Sequence, residues 1–227
     1  MKTLLTAALL FLSFNFATAQ VQCCKDHLTH VPDRKNAMHS NAGSHDSFAY
    51  IRNLPKESLS AEEEAALLQI REEELLAHDL YVALYDAWGI RIFNNIAGSE
   101  SRHASAIKVL LDKYNIPDPA ADHNPGHLHD NQLQVLNNSL LGKGLHSYEA
   151  ALRTGAFAEE TDIEDLQVFL DKTIDNQDVY VVFSNLKRAS ENHLRAFARQ
   201  LNNRGVAYTP AVLNEAQFSN IVNRMAP

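Results

Sequence analysis

Four long helix-forming stretches, each with ionisable residues midway along its apolar side, constrain this chain more than anything else in it. Ser60-Ala61-Glu62-Glu63 has the spacing of a capping box and opens a run to Trp88, with Gly89 as its stop. A second run extends from Ile92 to Tyr114 and ends before Pro117 and Pro119. Residues 115–130 read as a loop, and Asp130 to Leu141 as a short helix broken by Gly142 and Gly144. Ser147 caps a third long run to Lys172, and Asp175 caps a fourth from Asn176 to Asn203, closed by Gly205. A further short helix is expected near 213–223. The β-prone segment Val179–Phe183 keeps helical spacing through Leu186, Leu194, Phe197 and Leu201, so no strand is predicted. The four long helices would each run roughly 33 to 42 Å. Matched lengths and a long second link predict an all-α four-helix bundle with a crossover connection carrying the short helix.

The inward stripe of the first helix runs through Leu67, Ile70, Glu74, Ala77, Tyr81, Leu84 and Trp88. On the second, Ile96, Glu100, His103, Ile107 and Leu110 share a face. The third places Glu159 and Asp162 among Leu152, Ala156, Ile163, Leu166 and Leu170, and the fourth places His193 among Phe183, Leu186, Ser190, Phe197 and Leu201. Several carboxylates aimed at one dry axis repel each other and cost several kcal/mol each, so they take up protons or gather cations. Two divalent ions would balance Glu74, Glu100, Glu159 and Asp162, with His103 and His193 as neutral ligands. This donor set suits iron or manganese and tolerates zinc. Glu72, Glu73, Glu160, Glu164 and Asp165 read as solvated faces, although Glu73 or Glu160 could replace its neighbour in the stripe.

The ends of the chain read differently. Lys2, the apolar run Leu4 to Phe16 and Ala17-Thr18-Ala19 predict a signal peptide over 1–19, hence a secreted or periplasmic protein. Residues 20–58 read as a polar, histidine-containing arm with Cys23 and Cys24, the bundle occupies 59–205, and 206–227 form a tail. Adjacent cysteines do not make a disulfide framework. The net charge of −8 argues against nucleic acid as a partner, and no later run is apolar enough to span a bilayer. Loop residues His123, His127 and His129 are expected to face solvent, with a second metal site as the alternative.

At the inward residues the chain resembles the ferritin-like superfamily, in its rubrerythrin and ferritin pattern, over residues 60–210. Glu74-Leu75-Leu76-Ala77-His78-Asp79-Leu80-Tyr81 is similar to the first-helix motif Glu-x-x-Ala-x-x-x-Tyr, which implies Glu74 as a ligand and Tyr81 near the metals. Glu100-Ser101-Arg102-His103-Ala104 resembles the second-helix motif, with Glu100 bridging two ions and His103 on one. Glu159 and Asp162 look like the third-helix Glu-x-x-Glu, and His193 like the fourth-helix histidine. A ferritin-like family catalogued only as a domain of unknown function is similar as well. Two departures stand out: Ser190 occupies the position of the fourth-helix glutamate, with Glu191 one place off, and the cysteines of a rubredoxin-like iron site are absent.

The resemblance implies a di-iron carboxylate centre that oxidises Fe(II) or reduces O2 or peroxide, with Tyr81 donating a hydrogen bond or an electron. The alternatives are a metal buffer or carrier, and a helical interaction module with a degenerate site. Expected partners are metal ions and O2 or peroxide, with a homo-oligomer left open.

Overall fold

A computed structural model describes residues 48–224. The expected signal peptide, Cys23 and Cys24, and the arm's His27, His30, His39 and His45 lie outside the described residues. Seven helices and no strand are present among the described residues: α1 (Ala49–Asn53), α2 (Ala61–Trp88), α3 (Arg91–Tyr114), α4 (Asn131–Gly144), α5 (Tyr148–Lys172), α6 (Gln177–Asn202) and α7 (Glu215–Val222). The expected polar arm ends earlier than 58, because Ile51 of α1 is fully buried and Lys113 Nζ donates to the carbonyls of Ile51 and Leu54.

The termini follow the local chemistry of the sequence. Ser60 and Glu63 form a reciprocal capping box at the start of α2, and Gly89 ends it in the left-handed region at φ 64°. Asp130 accepts from the backbone N–H groups of Gln132 and Leu133, and Ser147 from that of Ala150. The fourth long helix starts one residue later than expected. Asn176 is its N-cap and makes no side-chain cap bond; its amide Nδ2 donates instead to the Ser58 carbonyl and to Glu63 Oε2, while Glu63 Oε1 accepts from the backbone N–H groups of Asp175 and Asn176.

That contact and one farther along fix the direction of packing. Glu63 meets Asp175–Asn176 at one end of α2, while the Tyr81 hydroxyl reaches Gly155 and Glu159 farther along it. Helices α2 and α5 therefore run antiparallel. Around them the apolar residues separate into two cores. One holds Tyr81, Leu84, Phe93, Leu152, Phe197 and Leu201; the other holds Leu67, Ile70, Ile107, Leu110, Phe183 and Leu186. Fully burying each such side chain contributes about 1.5–3 kcal/mol. Between the two cores, at the same level on α2, α3, α5 and α6, lies a layer of acids and imidazoles. No helix among the described residues is long and apolar enough to cross a membrane.

Candidate metal centre

Helical periodicity places Glu100 and His103, one turn apart on α3, in the same layer, with Glu74 from α2 and Glu159 and His193 from α5 and α6 facing them. His103 Nδ1 lies 2.7 Å from Glu100 Oε2 and 3.2 Å from Glu74 Oε2. His193 Nδ1 lies 2.9 Å from Glu100 Oε1 and 3.4 Å from Glu159 Oε2. The imidazoles stack with centroids 5.8 Å apart. Two trios result, Glu74–Glu100–His103 and Glu100–Glu159–His193, each with its ligand atoms within 4.8 Å of one another, and Glu100 belongs to both.

These separations fit a shared cation. Two donors held at about 2.1 Å from one ion at a right angle stand about 3.0 Å apart. The hydrogen-bond geometry points the same way. Glu74 Oε1, Glu100 Oε1 and His193 Nδ1 are buried and have no hydrogen-bond partner, although His193 Nδ1 is only 2.9 Å from Glu100 Oε1. Close approach without a donor aligned on an acceptor leaves three orphaned polar atoms in this layer, an arrangement that costs about 1–3 kcal/mol per group unless something else satisfies it.

Electrostatics sharpens the conflict. Glu74, Glu100 and Glu159 are each at most 3 % exposed. Burial, reinforced by the charges of Asp162 and Glu100, pushes the Glu74 carboxyl well above the ordinary range. Glu159 is raised by burial and by Glu100, against the opposing pull of His193. Burial would also raise Glu100, yet the close approach of His103 and His193 outweighs it and brings the carboxyl down to about 2. His193 shows the complement: burial disfavours its charge, but Glu159 and Glu100 hold its pKa up at about 11. Without a cation, the layer balances its charge with protons.

Neighbouring groups orient these carboxylates and imidazoles. Tyr81, fully buried between Phe93 and Phe197, donates its hydroxyl to Glu159 Oε1 at 2.5 Å, leaving Oε2 toward His193. Gly155 makes room for this cluster, since a Cβ there would stand 2.5 Å from Phe197 Cζ. Ser99 Oγ lies 3.2 Å from His103 Nε2, so the Nδ1 edge faces the carboxylates. Ser99 was not among the sequence-level candidates; its spacing of four before His103 on one helix is the signal that could have found it.

Of the six expected ligands, the structure brings Glu74, Glu100, His103, Glu159 and His193 together, with Tyr81 beside them. Asp162 stands at the layer but outside both trios, bonded to the Ser190 hydroxyl. Burial and the Glu159 charge raise its pKa to about 7. Glu191 turns away, as its position one place along the helix implies, and pairs with Lys187.

Two acids expected to face solvent are buried instead. Glu160 is fully buried and accepts from the Tyr208 hydroxyl and the backbone N–H groups of Ala211, Val212 and Leu213. Glu72 is buried and accepts from the Asp130 backbone N–H. In both cases the partner comes from a distant segment, which helical periodicity cannot foresee. Glu73 stays outside both trios, bonded through Oε1 to Gln69. In the crossover loop, His127 and His129 are exposed as expected, whereas His123 is partly buried with Nε2 2.9 Å from Asp79. Asp79 also accepts from the Gly126 N–H and lies 2.9 Å from His78 Nδ1.

Known proteins match this chain over the same region. The chain is 44 % identical over 174 residues to an uncharacterized protein, MJ0754, of Methanocaldococcus jannaschii, covering 77 % of this chain and 94 % of that protein. The crystal structure of the hypothetical protein MJ0754 from Methanococcus jannaschii superposes with a TM-score of 0.74 at 43 % identity, covering 76 % of this chain and 98 % of that one. The family model described as an uncharacterized protein domain, DUF2202, matches residues 63–225, which include α3, α5, α6, all but the first two residues of α2, and both trios. This chain belongs to the DUF2202 family.

Proposed function

We propose that this protein is an exported, ferritin-like four-helix bundle holding a dinuclear metal centre, and that iron is the native metal. The observation that carries the reading is the pair of carboxylate–imidazole trios sharing Glu100 between two apolar cores. Glu74 and His103 would hold one ion, Glu159 and His193 the other, and Glu100 both. Manganese and zinc suit the same donors less specifically. A di-iron pair supplies two electrons for reducing O2 or peroxide, with Fe(II) oxidised to Fe(III).

The chain's own residues prepare that chemistry. Tyr81 fixes one oxygen of Glu159 so that the other faces His193, and Ser99 fixes the His103 ring. The apolar cores on either side exclude water and strengthen every charge interaction in the layer. Protons held on Glu74 and Glu159 would leave as cations bind, which keeps the layer near neutrality.

Metal analysis of the purified full chain tests the reading. Two ions per chain are expected, with loss of both on changing Glu100 and His103 together to Ala. Fewer than one ion per chain, or no loss in the variant, would remove it. Stopped-flow absorbance after mixing Fe(II) with O2 or peroxide then separates an oxidoreductase from a metal buffer, which would bind without accelerating oxidation.

A further inference from the structure

We infer that Ser190 is a positioning residue that holds the Asp162 carboxylate off the metal pair, leaving a coordination position beside Glu74 for a small exogenous ligand. The inference rests on the dinuclear reading above and adds where that centre is open.

Asp162 lies one helical turn beyond Glu159, and Ser190 one turn before His193, so both belong to the faces that supply ligands. Ser190 is completely buried, yet its hydroxyl is too short to serve where a carboxylate would reach the pair. It donates instead to Asp162 Oδ2. The Leu186 carbonyl also lies 3.1 Å from Ser190 Oγ, but a hydroxyl has one proton, and the contact with Asp162 is the shorter of the two. Asp162 is thus tied to α6 and joins neither trio. It nevertheless stands near enough to Glu74 for its charge to be the strongest of the like charges acting there.

Each proposed ion therefore has a terminal carboxylate, an imidazole and a share of Glu100. First-row divalent ions take about four to six donors, so positions remain for something other than protein. Asp162, whose charge acts on Glu74, is a carboxylate outside both trios, and the Ser190 hydroxyl restrains it. Release of that bond would leave the Asp162 carboxylate without its tether to α6. The ligand class such a position takes is a small anion or neutral donor molecule.

The test loads the full chain with Co(II) as probe metal, reads the visible d–d spectrum, and titrates azide as probe ligand. Wild type is expected to bind Co(II) and to change its spectrum with azide. In Ser190→Ala, Co(II) stoichiometry should persist, while azide affinity falls about 10- to 100-fold and the d–d bands weaken as a carboxylate raises the coordination number. Ser190→Thr, which keeps the hydroxyl, should restore azide binding. Adding Asp162→Asn to Ser190→Ala should restore it too.

Wild-type azide affinity in Ser190→Ala overturns the inference alone. If Ser190→Ala does not fold, Asp162→Asn decides: unchanged Co(II) stoichiometry and azide affinity support it, and loss of Co(II) overturns it. Absence of Co(II) binding by wild type would remove the dinuclear reading and this inference together.

Discussion

Two sets of buried glutamates in this protein obey opposite rules. Glu160 lies in the wall between α5 and the C-terminal segment, where three consecutive backbone N–H groups and the Tyr208 hydroxyl satisfy it. Glu63 is likewise filled by Ser60, Asp175 and Asn176. Glu74, Glu100 and Glu159, equally dry, face each other and two imidazoles, and two of the three keep an oxygen with no hydrogen-bond partner. A carboxylate surrounded by backbone donors tethers segments that are remote in sequence. Carboxylates surrounded by carboxylates store an unmet demand for positive charge. Burial alone does not separate these roles; the identity of the partners does.

Breaking the shared member of the second set should have the largest effect. Glu100→Gln removes one charge from both trios at once, and metal analysis should find both ions lost while circular dichroism retains the helical signal. Wild type should in turn be stabilised by its metal, by about 4 kcal/mol when free metal stands at a thousand times its dissociation constant. Thermal melts with and without a chelator measure that difference, and a chelator that leaves the melt unmoved would merge the two sets of acids into one.

Glu160→Ala should do the reverse. It strands three N–H groups and a tyrosine hydroxyl, at about 1–3 kcal/mol for each left unsatisfied. A loss of about 3 kcal/mol or more in denaturant unfolding is expected, with metal stoichiometry unchanged.

Acidity should split the buried acids by sign, with Glu100 held low by its two imidazoles. Asp79 and Asp118 sit below their ordinary range, because His78 and Gly126 in one case, and Arg71 in the other, outweigh the burial that would raise them. The stability they contribute is present above the unfolded value of about 3.9 and is lost as pH falls through the folded one. Glu74 and Glu159, and Asp162 at about 7, are raised, so the metal-free fold binds more protons than the unfolded chain. Metal-free protein should therefore lose stability as pH rises from about 4 toward 7, and bound cations should flatten that slope. Melting temperatures across this range, with and without metal, test the contrast.

The smallest effect expected is that of Tyr81→Phe. It deletes the hydroxyl that orients Glu159 and reaches the Gly155 carbonyl, and should weaken metal binding by about tenfold with little change in folding.

Much of this was legible in the sequence because it depends on spacing. Ser60 with Glu63, Gly89, Asp130 and Ser147 mark helix ends by local chemistry, and each does so in the structure. Glu100 and His103 are neighbours on any helix, so their partnership needed no fold. Which of two adjacent glutamates turns inward was not fixed by periodicity, since a stripe drawn on one helix is uncertain by a residue. Packing against α3 set Glu74 toward His103 and left Glu73 to Gln69.

What the sequence determined by itself was the four long helices and the fact that acids would meet a dry axis, because both follow from periods of three and four along one chain. Only the tertiary structure decided which acids stay unsatisfied. The Ser190–Asp162 bond, the Tyr81–Glu159 bond and the backbone donors that fill Glu160 all join groups far apart in the chain. Whether a buried charge is met depends on three-dimensional contacts of this kind, and no single helix contains them.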